Sequence, residues 1–231
     1  MDHFDFTVII SAGTEWRTIS PLILDGHEIR TPYPHCVSTS IENTPVVFLN
    51  SGWGKVASAG ATQYAIDRWT PKLLINLGTC GGLARRIDLG EIILASETVI
   101  YDIIEGMSDY HKAIDRYSCQ ADLGWLGDDL PVPMKKARLL SADRDIRPQD
   151  VQMMIDEFDG TAGDWESGAL AWVAEKNQVD WLILRGVTDI ISLLEGEALG
   201  NKSLWQERTG SIMQKLFNIL PWVIERYRFT H

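Results

Sequence analysis

Residues Trp181 to Ile191, Trp-Leu-Ile-Leu-Arg-Gly-Val-Thr-Asp-Ile-Ile, constrain the fold of this chain more than any other stretch. An apolar run of strand length reads as a parallel strand covered on both faces. Its last residues then reach the carboxyl edge of the sheet, where open α/β proteins keep their chemistry. Asp189 is carried to that edge and is the first candidate site residue. Just before the run, Asp164 to Ala174 has a helical pattern, with Asp164 placed to cap it and Glu166 near its start. Helix and strand together bring two carboxylates toward one edge. Each also has a plain structural reading, Glu166 as a first-turn helix acid and Asp189 as a loop or cap residue.

The same alternation continues along the chain. Phe6 to Ser11 reads as a strand, Ala12-Gly-Thr-Glu15 as a turn, and the following residues as a helix with Trp16, Ile19, Leu22 and Leu24 on one side. Glu15 thus stands at a strand's carboxyl end, either as a site carboxylate or as a first-turn acid facing the helix dipole. Cys36 to Ile41 and Pro45 to Leu49 form a hairpin. Asn50-Ser-Gly-Trp-Gly-Lys-Val56 is a glycine-punctuated turn opening a helix through Arg68. Its amides can cradle an anion, although its spacing is neither that of a Walker loop nor that of a dinucleotide turn. Lys72 to Gly82 is an apolar strand that runs into a loop with three glycines in five residues. There Gly81 or Gly82 supplies positive φ or lets the backbone approach a ligand, and Thr79 adds a hydroxyl. Gly90 to Asp102 is a long, bulged strand and Ile103 to Pro133 an irregular excursion. Lys136 to Asp143 returns to strand, Pro148 to Glu157 is a short helix, and Leu204 to Tyr227 is a closing amphipathic helix that Pro221 should kink or split. Strands and helices alternating from end to end predict an α/β fold, a mostly parallel or mixed sheet with helices on both faces.

The 231 residues, 45% of them apolar, are enough for a single domain spanning 1–231. A formal net charge of −11 argues against nucleic acid and anionic membrane as partners, since both are negative. No window approaches the roughly 18 apolar residues of a membrane span, and the N-terminal residues lack the order of a signal peptide, so a cytoplasmic location is expected. Cys36, Cys80 and Cys119 have no CxxC spacing and the five histidines do not cluster, which supports neither a disulfide framework nor a metal site. Chemistry is left to carboxylates, hydroxyls and backbone. A dinucleotide cofactor is disfavoured because no strand is followed by GxGxxG.

Several of these segments form a set. Ala12-Gly-Thr-Glu15, Gly52-Trp-Gly-Lys-Val56, Leu74-Ile-Asn-Leu-Gly-Thr-Cys-Gly-Gly82, Ser141-Ala-Asp143, Asp164-Trp-Glu166 and Val187-Thr-Asp189 resemble, in order and spacing, the nucleoside phosphorylase/nucleosidase superfamily. Within it the chain most resembles the hydrolytic 5′-methylthioadenosine/S-adenosylhomocysteine nucleosidases. The resemblance covers residues 6–225. It implies a three-layer α/β sandwich whose central mixed sheet bends toward a barrel, a homodimer, and cleavage of a purine nucleoside's N-glycosidic bond without metal or organic cofactor. It also implies that Asp189 is the general acid at the purine, that Glu15 binds the attacking water, and that Glu166 grips the ribose hydroxyls. Trp165 would pack against the ribose where the family usually has Met, Ile146 would meet the base edge, and Thr79 and Cys80 would line sugar and base.

These residue types suit the chemistry. The bond breaks through an oxocarbenium-like transition state, so the purine must be neutralised, the cationic sugar stabilised and a water directed to the anomeric carbon. Phosphorylases of this group resemble one another in placing an arginine before the Gly-[Ser/Thr] loop, whereas this chain has Asn76 there. Phosphate binding should be poor, unless Arg17, Arg85 or Arg144 supplies the cation. Two departures bear on the substrate. Asp145 stands where many bacterial relatives carry an aromatic or apolar residue against the base, and Ala142 replaces the usual Gly. A non-catalytic nucleoside binder of the same fold would have no need of Glu15.

Overall fold

The computed structural model describes residues 3–23, 25–193 and 201–231, so the expectation for Leu24 falls outside the described residues. In chain order its first elements are β1 (Phe6–Ile10), α1 (Gly13–Ile19), β2 (His27–Glu28), β3 (His35–Ile41), β4 (Thr44–Asn50), α2 (Gly54–Trp69), β5 (Leu73–Leu83) and β6 (Ile92–Ile100). There follow α3 (Tyr110–Asp115), β7 (Cys119–Gln120), β8 (Lys135–Ser141), α4 (Val151–Asp156), β9 (Ala162–Asp164), α5 (Ser167–Lys176), β10 (Asp180–Ile191) and α6 (Lys202–Thr230). Short 3-10 turns at Ser20–Leu22, Gly124–Leu126 and Pro148–Asp150 join them.

One mixed sheet carries these strands in the order β10-β6-β8-β9-β5-β1-β4-β3-β2, and β10 also pairs with β5. That last pairing closes β5, β10, β6, β8 and β9 into a ring, with β1, β4, β3 and β2 as an open extension. The expected mixed, partly barrel-like α/β sheet is therefore observed. Parallel ladders join β1 to β4, β1 to β5 and β10 to β5. Their carboxyl ends, near Ile10, Thr79 and Asp189, consequently lie along one edge. β3 and β4 form the predicted hairpin, turned at Glu42 and Asn43, both with positive φ, which matches the twist of the flanking strands.

Apolar side chains alternate across the sheet. Leu73, Ile75, Leu77, Leu182 and Leu184 face α1 and α6, while Leu74 and Ile183 face α2 and α5 with Leu170 and Ala174. Pro221 does not split the closing helix, since α6 continues as a single helix through it. A proline inside a helix costs about 3 kcal/mol, yet the α6 face buries Ile212, Leu216, Leu220, Val223 and Ile224. Each such side chain contributes roughly 1.5–3 kcal/mol, and together they outweigh the lost backbone bond.

Local boundaries differ in two places that matter for the site. The three glycines do not form a loop, since β5 runs through them to Leu83, paired with β10 and β9. Neither Gly81 nor Gly82 has positive φ. They are needed for space: a Cβ on Gly81 would lie 2.6 Å from Ile191 Cδ1, and one on Gly82 would lie 2.7 Å from Ile87 Cγ2. The segment before Glu166 is also not helical. Asp164 ends β9 and α5 starts only at Ser167.

Candidate active site

An arginine within an apolar strand is an anomaly, and Arg185 of β10 is 1% exposed. A buried cation costs several kcal/mol unless its donors are met. Arg185 Nε donates to Asp164 Oδ2 at 2.8 Å and Nη2 to Asn76 Oδ1 at 2.5 Å. Asp164 also accepts from Ser141 Oγ at 2.6 Å and from the hydroxyl of Ser167. Asn76 is held by its own donation to the Ile9 carbonyl at 2.8 Å. Nη1 alone has no partner and is fully buried. It points to Gly78, where a Cβ would lie 2.7 Å from Nη1 and 3.1 Å from Glu15 Oε1. The bare glycine therefore lets a buried guanidinium and a buried carboxylate approach the same small volume.

Glu15 reaches that volume from α1, in whose first turn it lies. The β1–β5 ladder stops at Ile10 and Leu77, which leaves the Thr79 amide without a strand partner on that side. Glu15 Oε1 takes it at 2.7 Å and takes the Thr79 hydroxyl at 2.9 Å, while Oε2 accepts from the Ala12 amide at 3.1 Å. Its partners are all donors, the arrangement that suits a carboxylate. Burial pushes the Glu15 pKa up, opposed by the charge of Arg185 and by these hydrogen bonds.

Glu166 sits at the head of α5 but does not serve its own helix. Its Oε1 accepts from the Gly54 amide at the start of α2, at 3.0 Å. The glycine turn that looked able to hold an external anion therefore already holds internal ones, because the next amide, that of Lys55, donates to Asp143 Oδ1 at 2.7 Å. Burial, then repulsion from Asp164, raises the Glu166 carboxyl to about 8. For Arg185, burial works against the charge, but Asp164, Glu15 and Glu166 outweigh it and raise the pKa.

The remaining sequence candidates spread around the same edge. Asp189 is partly buried and follows a bulge in the β5–β10 register between Val187 and Asp189. Cys80 is buried opposite Val187 with its thiol 3.7 Å from the Gly186 carbonyl, and burial holds that thiol protonated. Ile146 lies over the sheet edge, so that its Cδ1 would meet a Cβ on Gly163 at 2.9 Å and on Gly81 at 3.2 Å. Trp165 is half-buried, and its indole makes no hydrogen bond or ring contact among the described residues. Asp145 is exposed. Of the arginines considered for phosphate, Arg17 binds Thr14, Arg144 pairs with Asp150 at 2.7 Å, and Arg85 is exposed. Sequence reasoning overlooked Arg185, although a lone arginine inside Leu-Ile-Leu-Arg-Gly-Val was a legible sign, since arginine is almost never fully buried unpaired. Among the described residues no group of three or more His, Cys, Asp or Glu is placed to hold a metal.

A family model described as the phosphorylase superfamily matches residues 7–218. The chain belongs to that superfamily. Among curated members, a 5′-methylthioadenosine/S-adenosylhomocysteine nucleosidase of Haemophilus influenzae is 26% identical over 193 residues, 79% of this chain and 84% of its own length. The nucleosidase of the same name from Anoxybacillus flavithermus is 26% identical over 168 residues, 66% of this chain and 71% of its own. The superfamily fold recurs in solved structures. The Helicobacter pylori nucleosidase of that name, in complex with a pyrrolopyrimidine-substituted pyrrolidinol, aligns with a TM-score of 0.79 at 16% identity over 95% of this chain and 99% of its own. Futalosine hydrolase of Helicobacter pylori aligns at 0.78 and 15% identity, over 94% and 97%.

Proposed function

We propose that this member of the superfamily hydrolyses the N-glycosidic bond of a purine nucleoside, with water as the acceptor. The observation that carries the assignment is the approach of Glu15 Oε1 and the orphaned Nη1 of Arg185 to the same space beside Gly78. The carboxylate can take a proton from a water that the guanidinium holds, the two being close enough to share one molecule. Phosphate fits this place poorly. Glu15 already occupies the Thr79 amide and hydroxyl that an oxyanion would use, and the buried Arg185 is already ion-paired with Asp164.

In this assignment Asp189 protonates the leaving purine and Glu166 accepts from the ribose hydroxyls. Trp165 covers the sugar, Ile146 and Cys80 flank the base, Thr79 steadies Glu15, and the exposed Asp145 faces the outer rim of the base side. No step calls for a metal or organic cofactor. The curated relatives' names make methylthioadenosine and S-adenosylhomocysteine the first substrates to try, and the futalosine hydrolase fold makes futalosine the next. A homodimer is the expected assembly, and Trp53, Val56, Ile104 and Met107 are exposed apolar side chains that a partner would cover. The three free, buried cysteines suit a cytoplasmic enzyme.

Base release from methylthioadenosine, S-adenosylhomocysteine, adenosine, inosine and futalosine, with and without phosphate, tests the assignment. Release that does not depend on phosphate is expected. Release only with phosphate, yielding a sugar 1-phosphate, would replace the hydrolase by a phosphorylase, and binding without turnover would leave a nucleoside-binding protein.

A further inference from the structure

Beside the cleft stands a second charged group that the reaction does not use. Lys55 Nζ is ion-paired with Asp102 and lies 3.7 Å from Asp143 Oδ2. The Asp143 amide donates to Asp102 Oδ2 at 3.1 Å, and the Lys55 amide donates to Asp143 Oδ1 at 2.7 Å. These bonds form a ring through three separate segments: the start of α2, the residues after β6 and the loop after β8. The side chains of Lys55 and Asp102 are each only 19% exposed, so the pair is held in one geometry by its surroundings.

Both neighbours of the ring lead to substrate-facing residues. One position before Lys55, the Gly54 amide holds Glu166. Three positions after Asp143, Ile146 closes over Gly81 and Gly163. Asp143 and Glu166 present carboxyl oxygens to adjacent amides of one helix start, and Lys55 Nζ anchors the Asp143 side of that arrangement. Gly54 adopts φ +84°, and a Cβ on it would lie 2.9 Å from Asp143 Oδ1, so the turn is shaped for this close approach.

We propose that Lys55 is a positioning residue that locks the sugar-facing Glu166 and the base-facing loop 142–147 into one register, through Asp102 and Asp143. The proposal rests on the nucleosidase assignment for its kinetic consequence but not for its structural one. Lys55→Met should raise KM for methylthioadenosine about tenfold and weaken inhibition by free adenine severalfold, with kcat within about threefold of wild type. Lys55→Arg should restore most of the KM, and Asp102→Asn should reproduce the loss. In Lys55→Met/Glu166→Gln the KM increase should fall short of the product of the single changes, because both act through the Gly54–Glu166 bond. Independently of any reaction, hydrogen exchange should quicken in peptides covering 52–56 and 142–147 and stay unchanged in β1 and β5. Unchanged exchange in Lys55→Met overturns the proposal whatever the substrate, and so does a KM equal to wild type in an active enzyme. An inactive wild type would overturn the functional assignment alone and leave the exchange result to decide the role of Lys55.

Discussion

The two cations of the cleft, Arg185 and Lys55, are set in opposite ways. Arg185 is wholly buried among Asp164, Glu15 and Glu166, and one of its donors is left open. Lys55 is at the rim, ion-paired with Asp102 and 3.7 Å from Asp143 Oδ2. An unsatisfied buried donor costs about 1–3 kcal/mol and is kept where something is to bind. A closed ion-pair ring at a rim gives geometry and little stability. Under the proposed function, the contrast separates a group that meets the reactants from one that holds the groups that do.

Removing the buried cation should have the largest effect. Arg185→Met leaves Asp164 charged and unpaired in the interior, and urea unfolding should report a loss of about 3–5 kcal/mol together with loss of turnover. A loss below about 1 kcal/mol would mean that the hydroxyls of Ser141 and Ser167 satisfy Asp164 without the guanidinium. Next comes Glu15→Gln, which keeps the shape and removes the base. Turnover should drop about 10²–10⁴-fold while nucleoside binding persists, and full activity would remove Glu15 from the mechanism.

A pH series sharpens the comparison further. Glu166 is raised from its ordinary 4.5 to about 8, chiefly by burial, so between those values the folded chain keeps a proton that the unfolded chain has lost. Stability must then fall as pH rises through that window, by at most about 1.4 kcal/mol per pH unit from this group. Glu166→Gln should flatten the slope, and an identical slope in the variant would place the bound proton elsewhere. The smallest effect belongs to the rim. Lys55→Met should cost about 1 kcal/mol in the same unfolding assay. A loss as large as that of Arg185→Met would make Lys55 a core ion rather than a rim clamp.

Much of this architecture was legible beforehand, because local rules and tertiary packing agree over most of the chain. Trp181 to Ile191 had to be a covered strand, and its Asp189 had to reach the carboxyl edge. The hairpin at Glu42-Asn43 and the helix from Gly54 follow equally from alternation and turn chemistry. Glu15, Thr79 and Glu166 were identifiable as an edge set because parallel strands share a carboxyl side.

Tertiary structure decided what alternation cannot express. Gly78, Gly81 and Gly82 look like a loop by composition, yet they are strand residues whose missing side chains make room for Arg185, Ile191 and Ile87. Pro221 should end a helix by local rules, but α6 continues through it with its apolar face packed on the sheet. The Gly52–Lys55 turn has the look of an anion cradle, and only the fold shows that Glu166 and Asp143, 112 and 88 residues away, already fill it. Periodicity fixes which face a side chain takes. Which distant groups meet there depends on strand order and ring closure, and that is where a lone buried arginine gained its carboxylates and kept one donor free.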